Sequence, residues 1–123
     1  MLLLLGLLTT AKCIGIEIEE AYYKASIRVM EAWHIPNVSI MNKDVQATDL
    51  HQGDVFFMYS PFFGKVLNNV LAKLKHVAEE KTIRICSYGN STLALADEPW
   101  LKLEQEKTLS PYCAATFASV VGQ

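Results

Sequence analysis

The chain has 123 residues, of which 51% are hydrophobic and 20% charged, which suits one domain with a buried core and excludes compositional disorder. A formal net charge of −2, with no cluster of Lys and Arg, gives no electrostatic footprint for nucleic acid. Cys13, Cys86 and Cys113 are odd in number and lack CxxC or Cys/His spacing, which argues against a disulfide framework and a zinc site and for a reducing compartment.

In chain order, residues 1–8 (MLLLLGLL) have the apolarity of a secretory signal, but no basic residue precedes them. Lys12 also stands where small neutral residues would prepare cleavage, and the stretch is too short to span a bilayer. It reads as a helix end leading into a strand, in a protein expected in the cytoplasm without membrane contact. Residues 12–18 (KCIGIEI) form a short isoleucine-rich run, expected as a strand buried on both faces of a parallel sheet. Across residues 19–34, Tyr23, Ile27 and Met30 recur at helical spacing, with Glu19 and Glu20 at the end that the helix dipole favours, and Pro36 stops the helix.

Residues 37–42 (NVSIMN) predict a second strand, followed by a polar turn to Gly53. Residues 54–59 (DVFFMY) are aromatic, branched and uninterrupted, the clearest strand in the chain, ended by Ser60 and Pro61. From Phe63, the series Val66, Leu67, Val70, Leu71, Leu74 and Val77 predicts an amphipathic helix, and residues 82–87 (TIRICS) a further strand. Residues 100–104 and 112–121 predict two last strands, joined as a hairpin across Ser110 and Pro111. Strands alternating with helices predict an α/β fold, a Rossmann-like and mostly parallel sheet with helices on both faces, in a single domain.

In such sheets ligands bind at the carboxyl ends of the strands. Three places qualify. Gly15 allows a close approach and Glu17 ends the first strand, where a carboxylate can accept both hydroxyls of a ribose; a solvated acid opening the helix is the competing reading. Asp44 and Val45 follow the second strand, able to meet an adenine amino group and ring, or to be ordinary loop residues. Tyr59, Ser60, Pro61 and Phe62 leave the third strand in a proline turn that can hold an acceptor beside an electrophile, or can simply cap the next helix. His34, His51 and His76 fall where a solvated histidine is expected, so no general base stands out.

These segments resemble a class I S-adenosylmethionine-dependent methyltransferase. LLLLGLLTTAKCIGIEIEEAYY is similar to the end of that family's first helix and its second strand, with Glu17 at the ribose-binding acid. NKDV resembles the motif after the third strand, which implies Asp44 and Val45 beside adenine, and GDVFFMYSPF resembles the fourth-strand motif facing the transferred methyl. The resemblance runs from about residue 1 to residue 91 and implies S-adenosylmethionine as cofactor.

The sequence departs from the family pattern in two ways. Nothing before KCIGIEI supplies the family's first strand and glycine-rich turn, so the fold is expected to be incomplete at the N-terminus. That strand normally lies between the two assigned to KCIGIEI and DVFFMY. Its absence leaves two inner edges whose unpaired backbone groups cost about 1–3 kcal/mol each, unless the two strands pair, another segment or a dimer partner fills the gap, or a preceding segment supplies it. Phe62 also stands where methyltransferases of nucleic-acid bases carry a second proline, which favours a protein side chain or small molecule as acceptor. A non-catalytic, methyltransferase-like remnant serving as an interaction module is the alternative.

Overall fold

The computed structural model describes residues 7–59, 64–105, 108–110 and 112–120. The chain divides into two compact units, Met1–Thr48 and Asp49–Gln123.

In the first unit, strand β1 (Cys13–Ile16) leads through helix α1 (Glu20–Trp33) to strand β2 (Val38–Met41) and a 3-10 turn over Val45–Ala47. The strands run parallel, with Cys13 opposite Val38 and Ile16 opposite Met41, so their carboxyl ends share one rim. Cys13, Ile35 and Val38 are buried, and Met30 and Ile40 pack against them. No residue of α1 is fully buried, because Tyr23, Ile27 and Met30 present only a narrow apolar stripe. The helix ends one step before Pro36 takes effect. His34 adopts the left-handed conformation at φ 50° and donates its N–H to the Met30 carbonyl.

The expectation that β1 is buried on both faces needs correction. Cys13 is buried, but its neighbour Ile14 on the opposite face is 39% exposed. The crossover helix α1 between the two strands covers one face of the pair, and Ile14 lies on the other. Asn37 closes the strand entry by donating from Nδ2 to the Thr9 and Ala11 carbonyls at 3.0 and 2.9 Å.

The second unit carries β3 (Val55–Tyr59), α2 (Gly64–Glu80), β4 (Arg84–Tyr88), α3 (Ser91–Ala96), β5 (Leu101–Leu103) and β6 (Ala115–Ser119). Its four strands lie in the order β3-β4-β6-β5. β3 and β4 are parallel, while β6 runs antiparallel to β4 and to β5, as the expected terminal hairpin requires. Helix α2 buries Leu67, Val70, Leu71, Leu74, Val77 and Ala78, the stripe its periodicity predicts, although Val66 remains 37% exposed at its margin. Met58, Ile83, Ile85, Leu95, Trp100 and Phe117 are buried with it. On the opposite face of β3, Val55 is 50% and Phe57 53% exposed.

Helix α3 was not legible in the sequence. It has six residues, STLALA, too few to display a helical period, and it follows a turn at Gly89, whose φ of 104° is natural only to glycine. β1 pairs with β2 and β3 with β4, and among the described residues β1 and β3 do not pair with each other.

Candidate nucleoside rim and strand-end residues

The parallel register of β1 and β2 brings the first two predicted places together. Gly15 lies within β1 opposite Ile40. Glu17 follows one residue beyond Ile16, and its N–H donates to the Met41 carbonyl at 2.9 Å, which prolongs the ladder past the strand end. Its carboxylate turns back on the chain: Oε1 accepts the Glu19 N–H at 3.1 Å. A carboxylate offers about four lone-pair positions, so this bond orients the group and leaves Oε2 able to accept from a ligand.

Asp44 stands three residues past Met41 on the same rim. Oδ1 accepts the Gln46 N–H at 2.9 Å and so caps the 3-10 turn, while the Asp44 carbonyl accepts the Thr48 hydroxyl at 2.8 Å. Half-buried Val45 opens that turn. Both acids are therefore half-buried, locally oriented, and set at adjacent parallel strand ends.

Asn42 joins the two strand ends, a role that sequence reasoning missed. Its Nδ2 donates to the Glu17 and Ile18 carbonyls at 2.9 and 3.2 Å and so fixes the backbone that carries the Glu17 side chain. The available signal was an asparagine immediately after a strand, a residue type whose amide readily bonds neighbouring backbone.

The third place belongs to the other unit. Tyr59 ends β3 opposite Tyr88, which ends the parallel strand β4 and is 38% exposed. The Tyr59 side chain and the residues Ser60, Pro61 and Phe62 lie outside the described residues. The hydroxyls of Ser87, within β4, and Thr92, in α3, are 2.8 Å apart and buried.

Each histidine has a local partner. His34 caps α1. His51 Nδ1 lies 2.7 Å from Asp49 Oδ1, and His76 Nδ1 lies 2.9 Å from Glu79 Oε2, both at exposed positions. The backbone N–H of His51, and then its ring, hold the Asp49 carboxyl below the usual carboxylate range. No helix among the described residues is long and apolar enough to cross a membrane.

No protein-family model and no curated protein matches the chain. Solved structures do. The chain superposes on the candidate methyltransferase yhhF of Escherichia coli with a TM-score of 0.65 at 18% identity, covering 90% of this chain and 64% of that one. An rRNA methylase of Streptococcus thermophilus gives a TM-score of 0.58 at 11% identity, covering 94% of this chain and 76% of that one. The candidate methyltransferase SMU.1697c of Streptococcus mutans, in complex with SAH, gives 0.54 at 15% identity, covering 87% and 74%. At these identities the likeness is one of fold.

Proposed function

We propose that this chain, which has the class I methyltransferase fold, binds S-adenosylmethionine at the β1–β2 rim and serves methyl transfer to a protein side chain or small molecule. The observation that carries this reading is the placement of Glu17 and Asp44, two oriented carboxylates, at neighbouring carboxyl ends of parallel strands. In open α/β sheets that rim is where nucleosides bind.

The residues present fit the nucleoside part of the cofactor. Glu17 would accept the two ribose hydroxyls, Asp44 the adenine amino group, with Val45 against the ring and Gly15 leaving room for a close backbone approach. Oε1 of Glu17 is already taken by the Glu19 amide, so Oε2 is the oxygen this role uses. Asn42 is a positioning residue, acting through the Glu17 backbone.

When bound, the cofactor supplies an intrinsically activated sulfonium methyl, so the protein's task is to position the acceptor and exclude water. Tyr59, Ser60, Pro61 and Phe62, at the end of β3, are the residues we assign to orienting the acceptor. The setting is cytoplasmic, where the three thiols stay reduced.

Isothermal titration with S-adenosylhomocysteine tests the reading. The native chain is expected to bind, and Glu17→Ala to weaken binding at least about tenfold, since a lost charge-assisted hydrogen bond is worth about 1.5–3 kcal/mol. Asn42→Ala is expected to weaken it less, with far-UV circular dichroism unchanged. The second reading is a methyltransferase-like module that binds no cofactor; the chain spans 64% of the length of yhhF. Absence of binding by the native chain, with the fold intact, would decide for it.

A further inference from the structure

We propose that His51, His76 and Glu80 bind a divalent transition metal such as zinc, which clips the loop before β3 to the end of α2. The two histidines come from different elements. His51 lies in the turn that precedes β3, and His76 lies in the last part of α2. Their ring centres stand 6.3 Å apart at an interplanar angle of 64°. Glu80 follows His76 by four residues, so the two share one face of the helix. Its Oε1 is 3.9 Å from Nε2 of His51, which brings the third ligand to the first.

The hydrogen bonds already set both rings for this task. His51 Nδ1 faces Asp49 Oδ1 at 2.7 Å, and His76 Nδ1 faces Glu79 Oε2 at 2.9 Å. An ionised carboxylate can only accept, so the nitrogen facing it carries the proton. A neutral imidazole has one N–H, and Nε2 of each ring therefore keeps its lone pair. A carboxylate on one ring nitrogen is the support that orients metal-binding histidines and raises their basicity. One such pair on a surface is ordinary. Two on neighbouring rings, with a further carboxylate beside one Nε2, supply both the ligands and their supports.

The distances call for a small closure. As the side chains stand, no three such groups among the described residues surround a common point. A nitrogen and an oxygen on one tetrahedral zinc are about 3.4 Å apart, and two imidazole centres about 5 Å, given bonds of about 2.0–2.2 Å. The His51–Glu80 gap must shrink by about half an ångström and the ring separation by about 1 Å. The Glu80 and His76 side chains are 70% and 74% exposed, so both can turn without disturbing the core. The loop is held in place for them: Leu50 is buried, and Lys81, just past α2, bonds Asp54 at 3.0 Å. Three protein ligands leave the fourth position to water. The site uses no cysteine, lies within the second unit, and does not depend on cofactor binding at the rim.

Isothermal titration of the full chain with zinc, after iodoacetamide has capped the accessible thiols, tests the proposal. One equivalent is expected to bind, with His51→Ala and His76→Ala each weakening it at least about tenfold. Glu79→Gln, which alters only a support, is expected to weaken it by about tenfold. His34→Asn, in the first unit, is expected to leave it unchanged. Zinc is also expected to raise the melting temperature of the native chain and not that of His76→Ala. Far-UV circular dichroism checks that each variant is folded, and His76→Gln serves should the alanine fail to fold. No binding below about 1 mM zinc, or binding that both histidine variants retain, would overturn the proposal. An equal loss in His34→Asn would do the same, since it marks general histidine affinity. Failure of S-adenosylhomocysteine to bind leaves it standing, so the two proposals fail separately.

Discussion

Ser91 opens α3 with its side chain 1% exposed, and its hydroxyl has no hydrogen-bond partner among the described residues. A buried, unmatched hydroxyl carries its desolvation cost without return, roughly 1–3 kcal/mol. Ser91→Ala is therefore expected to leave the chain as stable or raise stability by about 1 kcal/mol in urea unfolding, and a loss would show that the hydroxyl has a partner. Thr92, equally buried, is bonded to Ser87 and carries no such expectation. Gly53 is constrained differently: a Cβ there would stand 2.5 Å from Cζ of Phe56, so the ring of the second residue of β3 lies directly on the glycine. At this scale the sequence was informative where one residue acts through its own backbone. Glu17 and Asp44 stand at strand ends because the strands stop there. Asn42 was not legible, since its partners at residues 17 and 18 lie far back in the chain and no local pattern links them.

Among the elements, α2 dominates the second unit. Leu74 and Val77 are each 1% exposed, and Ile85 and Phe117 of the sheet are buried to the same degree. Leu74→Ala is expected to cost about 2–5 kcal/mol in denaturant unfolding, because a close-packed site of this kind cannot collapse fully onto the space left. A loss under about 1 kcal/mol would mean that the core relaxes freely. Seventeen residues of α2 gave the sequence more than four turns in which to display its period, which is why its stripe was readable residue by residue. α3 has too few residues for any period, and β1 showed a continuous apolar run that does not reveal how many of its faces will be covered. Periodicity reports an element's own preference; coverage is decided by what packs on it.

For the whole molecule, the α/β succession was legible because each strand and long helix carries its own signal. The division into a two-stranded and a four-stranded sheet follows from pairing between segments far apart in sequence, which alternation alone does not encode. The two units differ in how they are held. Among the described residues, the first has Cys13, Ile35 and Val38 buried together and a helix with none fully buried, while α2 of the second buries six. Local opening follows buried apolar contact, so the β1–β2 pair is expected to open more readily than the sheet of the second unit. The cysteines turn that difference into a readout. Cys113 is exposed, Cys86 half-buried, and Cys13 lies in the core of the first unit. A thiol reagent such as dithionitrobenzoate should label Cys113 at once and Cys86 more slowly, and reach Cys13 only in molecules whose β1 has come away from Val38 and Ile35. The labelling rate of that one sulfur is then a clock for the breathing of the Glu17–Asp44 rim, and ligand held there should slow it.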